Sequence, residues 1–300
     1  MPSESLSVIE RFLDHLQYQR RYSPHTVLAY RNDLFAFFDF LEHTYSLYTP
    51  ADVTPSIVRS WLASLKEEGM TAKSINRKIS SLKSFFKFQI RQGSVKSSPL
   101  TTLVTPKIKK RLPRFVDEKD TSALFAHVEF PDDWQGKTHR LILEIFYHTG
   151  IRQAELVHLR ESQVDVGNRS LKVLGKGNKE RILPLNEKLM AAIGDYMAAK
   201  SSFLETPEPS WLLLNDKGRK LYPRYVYNVV KKYLSLVTTI DKKSPHVLRH
   251  TFATHLMNNG AELNAVKELL GHSSLAATQV YTHNSIEKLK NIHKKAHPRS

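Results

Sequence analysis

Pro245-His246-Val247-Leu248-Arg249-His250-Thr251, Leu269-Leu270-Gly271-His272-Ser273-Ser274 and Gln279-Val280-Tyr281-Thr282-His283 fall within one stretch, Pro245 to His283, on which the reading of the whole chain turns. The stretch gathers imidazoles, a guanidinium and a phenol, contains no cysteine, and has only two acids, Glu262 and Glu268. Such a set can hold a phosphodiester and attack it without a metal. Ser244-Pro245 is a helix cap followed by proline at the first helical position, and Gly260 closes that helix. His246 and Arg249, three apart, share a face near its start. Ala261 to Leu270 reads as a further helix with Leu263, Val266 and Leu270 inward. His272 and Tyr281 would stand about half a revolution apart on one continuous helix. Gly271 therefore reads as a break, with Ser273 or Ser274 capping the next helix. His272 then falls in the turn and Tyr281 near the far end, able to approach or leave.

Zinc is the competing reading of the histidines, because His246 and His250 are four apart and His255 follows. Arg249 lies between them, no His-Glu-x-x-His arrangement exists, and the chain has no cysteine, so no metal site is expected.

Upstream, Arg224 to Val237 is amphipathic, with Val226, Val229, Val230, Tyr233 and Leu234 on one side. His139 to His148 is apolar nearly all round, as a buried central helix should be. Thr149-Gly150-Ile151-Arg152 breaks it, and a short helix follows to Leu159. An arginine beside a helix N-terminus favours an anion, although an ordinary surface arginine fits this segment equally. Val164 to Val166, Ser170 to Leu174 and Arg181 to Leu185 read as strands, and Glu187 to Ala199 as a helix. Trp211 to Leu214 reads as a short buried strand. Gly175-Lys176-Gly177-Asn178-Lys179 is a tight hairpin turn. It leaves Lys176 at the tip, either in solvent or delivered to a phosphate.

The first ninety or so residues read as four helices. Their apolar stripes are Ile9, Phe12, Leu13, Leu16; then Val27, Tyr30, Leu34, Phe37, Phe38, Leu41; then Val58, Trp61, Leu62, Leu65; then Ile75, Ile79, Leu82, Phe86, Ile90. Ser23-Pro24 and Thr54-Pro55 are start signals, and Gly93 is a stop signal after the fourth helix. Lys73, Arg77, Ser80, Ser84, Lys87 and Arg91 share the other face of that helix, which carries no acid of its own. It is a solvated face or a phosphate-contacting one. Residues 94–114, with Lys107-Ile108-Lys109-Lys110-Arg111, read as a basic linker.

Composition narrows the class. Lys and Arg number 45 against 29 Asp and Glu, a formal charge of +16, which favours a polyanionic partner. No apolar run approaches the ~20 residues of a membrane span, and no secretory signal is visible. With no cysteine, disulfides and thiol catalysis are excluded. A soluble, intracellular, basic protein without membrane contact is expected.

Taken together, Thr149-Gly150-Ile151-Arg152-Gln153-Ala154-Glu155-Leu156, Gly175-Lys176-Gly177-Asn178-Lys179-Glu180-Arg181, His246 through His255, Leu270 through Ser274 and Tyr281-Thr282-His283 closely resemble the tyrosine recombinase (phage integrase) family, with the Xer-type recombinases as the nearest branch. The resemblance implies a mainly α fold. Residues 1–93 would form a four-helix, SAM-like core-binding domain, 94–114 a basic linker, and 115–300 a mostly α catalytic domain with a small antiparallel β-sheet.

The same resemblance assigns roles. Tyr281 would be the nucleophile that forms a 3′-phosphotyrosyl bond, conserving the phosphodiester energy without ATP or cofactor. Arg152 and Arg249 would clamp the non-bridging oxygens, with His272 as a third donor. Lys176 would be the general acid, and His246 would take or relay the tyrosine proton. Glu155 would buttress Arg152. The implied partners are double-stranded DNA carrying a specific site, a homo- or hetero-tetramer on two such sites joined through a Holliday junction, a second Xer-type recombinase and a septal DNA translocase. Resolution of chromosome dimers and integration or excision of a mobile element both fit. A type IB topoisomerase shares the chemistry but needs no second site. A non-catalytic architectural DNA-binding protein would not need the intact set. A C-terminal helix, about 284–295, with Ile286, Leu289 and Ile292 in register, folds back on its own domain or, as the resemblance implies, docks on a neighbouring protomer.

Overall fold

In the computed structural model, which describes residues 3–108, 114–175, 179–203, 211–271, 293 and 295–298, the N-terminal unit begins with four helices, the last three started by hydroxyl caps. They are α1 (Ser3–Asp14), α2 (Pro24–Tyr45), α3 (Pro55–Glu67) and α4 (Ala72–Arg91). Ser23 accepts from the Thr26 amide at 3.3 Å, Thr54 from Ile57 at 3.4 Å and Thr71 from Ser74 at 3.2 Å, each satisfying one orphan donor of a first turn. Gly93, at φ +74°, turns the chain out of α4. The core of this bundle is aromatic: Phe12, Phe37, Phe38, Trp61, Phe85 and Phe86 are all buried. Ile90 departs from the expected stripe, being 38% exposed while Gln89 is 2% exposed. The buried face of α4 also takes in Lys78 and Phe85, so it is centred toward Gln89 and leaves Ile90 at its edge. Asp33 of α2 is wholly buried against α4. There it accepts from Lys78 at 3.2 Å and Ser81 at 2.8 Å and pairs with Arg77.

The chain divides into two units, Met1–Arg111 and Leu112–Ser300. The second contains α5 (Glu118–Ala126), α6 (Trp134–Thr149), α7 (Gln153–Val157), β1 (Val164–Asp165), β2 (Ser170–Leu174), β3 (Glu180–Pro184), α8 (Glu187–Phe203), α9 (Pro223–Val237), α10 (Pro245–Asn258) and α11 (Leu263–Leu270). The architecture is mostly helical, with one three-stranded antiparallel sheet in the order β1-β2-β3. Helix α6 is buried nearly all round and packs against α8, α9 and α10. Across β2 and β3, Leu171 faces Leu183 and Val173 faces Arg181. The Gly175 amide bonds the Lys179 carbonyl at 2.7 Å, closing the base of the hairpin.

Trp211 to Leu214 does not join the sheet. It makes only isolated bridges, Trp211 to Arg160 and Leu214 to Lys220. Its amides are taken elsewhere, Leu212 by the Leu159 carbonyl at 2.8 Å and Leu214 by the Tyr196 hydroxyl at 3.2 Å. In α11, Leu263 is 49% exposed. It is the first residue of the helix, and Ala265, Val266, Leu269 and Leu270 form the inward side.

The end of the chain is seated on its own unit. Ala296 joins the cluster of Phe252, Leu256, Val266, Leu269 and Leu270. His293 Nε2 donates to the His148 carbonyl at 2.7 Å and His297 Nε2 to the Tyr147 carbonyl at 2.9 Å. The two imidazoles stack with centroids 5.0 Å apart. These residues adopt the fold-back alternative; residues 284–292 of the expected helix, with Ile286, Leu289 and Ile292, lie outside the described residues. Among the described residues no helix is long and apolar enough to cross a membrane.

Candidate active site

Gly150 ends α6 in the left-handed region at φ +59°, and a Cβ there would stand 2.4 Å from the Phe252 ring. Only glycine meets both conditions. The chain then runs extended through Arg152, which caps α7. The Arg152 amide donates to Glu155 Oε2 at 2.8 Å and its guanidinium to Glu155 Oε1 at 2.8 Å. From β3, Arg181 makes a fork onto the same carboxylate, at 2.8 Å to each oxygen. Arg181 is 4% exposed and occupies an inward sheet position beside Leu183. Arg249, near the start of α10, is 8% exposed and donates to the Gly150 carbonyl at 2.6 Å.

These arginines converge on the end of α11. Three successive carbonyls there each accept from a different guanidinium: Leu269 from Arg181 at 2.9 Å, Leu270 from Arg249 at 2.6 Å and Gly271 from Arg152 at 2.8 Å. A helix leaves its last carbonyls unpaired and its C-terminal end negative, so planar cationic donors suit them. Gly271 sits at φ +62°, and a Cβ on it would be 3.0 Å from Arg181 Cδ.

The charge balance is uneven, with three guanidiniums facing one carboxylate. Burial by itself would push the Glu155 carboxyl up, but Arg181, through its hydrogen bonds and its charge, and then Arg152 override it and hold the group at about 2. Burial, followed by the like charges of Arg152 and Arg181, pushes Arg249 down to about 9, so it remains a cation at neutral pH. Among the described residues two positive charges are left uncompensated, which makes the site a receptor for an anion of matching charge.

Arg152, Glu155 and Arg249 are therefore brought together. His246 lies on the same helix as Arg249 and is exposed. Lys176, His272 and Tyr281 lie outside the described residues. Their immediate neighbours Gly175 and Gly271 are described, and both abut Arg181. A Cβ on Gly175 would stand 3.5 Å from Arg181 Nη1 and 3.4 Å from Glu155 Oε1. His255 is part of the scaffold, since Nε2 donates to the Val116 carbonyl at 2.9 Å and Nδ1 meets the Tyr147 hydroxyl at 3.2 Å. Arg181 was missed by the sequence reading. Its signal is alternation: with Leu183 inward, the residue two before it must also face the core, and a core arginine demands an acid.

In the N-terminal unit, Lys73, Arg77, Ser80, Lys87 and Arg91 are exposed on α4, and Ser84 is half-buried. Arg77 is tied to Asp33, an acid contributed by α2 that the sequence of α4 alone does not reveal. Ser84, Lys87 and Arg91 line a cleft of about 230 Å³ together with His15, Arg20 and Tyr22.

Residues 114–288 match the family described as "Phage integrase family", and residues 9–93 match "Phage integrase, N-terminal SAM-like domain". The chain belongs to the phage integrase family of tyrosine recombinases. A "Tyrosine recombinase XerC" of Chlorobaculum parvum is 41% identical over 315 residues, covering 97% of this chain and 94% of the relative. One from Listeria innocua is 39% identical, covering 97% of each. Among solved structures, XerH site-specific recombinase bound to palindromic difH substrate has a TM-score of 0.75 at 18% identity, covering 99% of this chain and 94% of that one. The Tn1549 transposon integrase in complex with transposon right end DNA has a TM-score of 0.70 at 21% identity, covering 95% and 94%. These two share the fold. This recombinase is thus a tyrosine-type, site-specific enzyme of the Xer branch.

Proposed function

We propose that this recombinase cuts and rejoins duplex DNA at a specific site, with Tyr281 as nucleophile and Arg152 and Arg249 as the phosphate clamp. The observation that supports this reading is the pair of uncompensated positive charges at Arg152, Arg181, Arg249 and Glu155. A phosphodiester carries one negative charge, and the pentavalent transition state formed by phenolate attack carries two. The site is closer in charge to the transition state than to the ground state, which is the condition for catalysis by differential binding.

In the proposed step the Tyr281 oxygen bonds phosphorus and its proton passes to His246, whose exposure opens a path to water. The 5′-oxygen departs with a proton from Lys176, and His272 donates to a non-bridging oxygen. The reverse attack by a 5′-hydroxyl rejoins the strand. Exposed Lys73, Lys87 and Arg91, with Ser80 and Ser84, would follow the phosphates; Arg77 would do so less, being already paired.

The Xer names of the relatives favour exchange between two sites by a homo- or hetero-tetramer through a Holliday junction, in the cytoplasm at the nucleoid. By the same reasoning a second Xer-type recombinase and a septal DNA translocase are the partners to look for.

Tyr281→Phe should bind its DNA site within about threefold of the parent, because only one oxygen is lost, and should leave no covalent adduct on a nicked suicide duplex. An adduct that survives denaturation would move the nucleophile elsewhere. Tyr222 is then preferred to Tyr225, whose hydroxyl is engaged by His139 Nε2 at 3.1 Å and whose pKa burial raises further.

A further inference from the structure

We propose that Arg181 is the positioning residue of this active site: it fixes Arg152 through Glu155 and holds the neighbours of Lys176 and His272 against the same guanidinium. The inference rests on the reading of Arg152 and Arg249 as the phosphate clamp, and it goes beyond the residues assigned there. Arg181 does not face the anion site, since it is 4% exposed and its fork is spent on Glu155. Its third donor, Nε, holds the Leu269 carbonyl. One rigid planar group thus joins β3, α7 and the end of α11.

Each of those elements leads directly to a residue of the proposed chemistry. Between β2 and β3 the Gly175 amide bonds the Lys179 carbonyl at 2.7 Å, Lys176 follows Gly175 in the chain, and a Cβ on Gly175 would stand 3.5 Å from Arg181 Nη1. Helix α7 is capped by Arg152, whose guanidinium shares the Glu155 carboxylate with Arg181 at 2.8 Å each. Helix α11 is capped by Gly271, immediately before His272, and a Cβ there would stand 3.0 Å from Arg181 Cδ, a tight contact. Placing a general acid, a clamp and a third donor on one phosphate tolerates errors of well under an ångström. A lysine at 181 could supply charge but not three directed bonds in one plane.

The test is single-turnover covalent capture on a nicked duplex bearing the site that the full-length parent selects from random-sequence DNA. Arg181→Lys should bind within about threefold of the parent and cleave on the order of 100-fold more slowly. With a methylphosphonate at the scissile position, a methyl group replaces one non-bridging oxygen, the linkage carries no charge, and a precise clamp matters less. The defects of Arg181→Lys and of Arg152→Ala should both shrink on this substrate. A merely structural role would leave the Arg181→Lys defect unchanged between the two substrates, and that result would overturn the proposal.

Should Arg181→Lys fold poorly, the double variant Glu155→Gln/Arg181→Met carries the test. It removes both buried charges together, which folded proteins tolerate far better than the loss of one. It should melt near the parent and still cleave slowly. Restored cleavage would mean that Arg181 only neutralises Glu155, and the proposal would fall. Arg152→Ala separates this inference from the reading beneath it. A dead Arg152→Ala beside a normal Arg181→Lys removes the inference alone, whereas normal cleavage by Arg152→Ala removes both.

Discussion

Glu155 stays ionised in a place where burial should protonate it, so its charge is a direct measure of the arginines around it. Folding lowers its pKa from 4.5 to about 2. The carboxylate therefore stabilises the native state fully above pH 4.5, and this contribution is lost as pH falls toward 2. The shift corresponds to about 3 kcal/mol. Glu155→Gln should be less stable than the parent by roughly that amount at pH 7, with the gap closing below pH 4.5, in urea unfolding measured across a pH series. A gap that does not change with pH would mean that the carboxylate is not held by charge. At this scale the sequence was legible where a residue sits in a local grammar. Arg152 follows a glycine corner and Arg249 lies near a proline-capped helix start, and both lie at the site. Arg181 sits between Glu180 and Ile182 in a strand, and its alternation with Leu183 says that it needs an acid without saying which distant carboxylate it holds.

The helices were legible because their signals are local. Ser23, Thr54 and Gly93 act where hydroxyl caps and a left-handed stop are expected. What periodicity misjudged were positions decided by a neighbouring element, such as Gln89 in place of Ile90 on α4. Folding back of the chain end was one of two alternatives in the sequence, but the imidazole-to-carbonyl bonds that help seat residues 293–297 carry no periodic signal. That seat predicts a pH response. Burial lowers the pKa of His293, and burial with the nearby His148, His293 and His255 holds His297 at about 2. Bases with a folded pKa below the unfolded 6.5 give stability that is whole above 6.5 and declines as pH falls below it. The slope is up to about 1.4 kcal/mol per pH unit for each. The protection factors of the amides of residues 293 and 295–297, exchange rates taken relative to the intrinsic rate at each pH, should fall between pH 7.5 and 5.5. His293→Gln/His297→Gln, which keeps donors but cannot titrate, should flatten that dependence. Equal protection of the parent at both pH values would show that the histidines do not hold the end.

At the scale of the whole molecule, the basic N-terminal face and the arginine site lie in different units, and neither includes the chain beyond His283. A chain ending at His283 keeps the residues proposed for chemistry and the α4 cations. It should bind a single DNA site nearly normally in mobility-shift assays while forming two-site complexes and exchanging strands more weakly. Recombination at the full-length rate would show that the tail does not couple protomers. The seat of that tail also bears on how copies meet. If a neighbour's tail took the same place, it would form the same two carbonyl bonds and the same Ala296 contact, and the exchange would gain nothing in contacts. What differs is the tether: a chain's own end is present at an effective concentration on the order of millimolar, far above any neighbour in dilute solution. Dilution alone then keeps each copy self-closed, and a DNA holding two copies side by side acts on the exchange as a source of concentration rather than of binding energy.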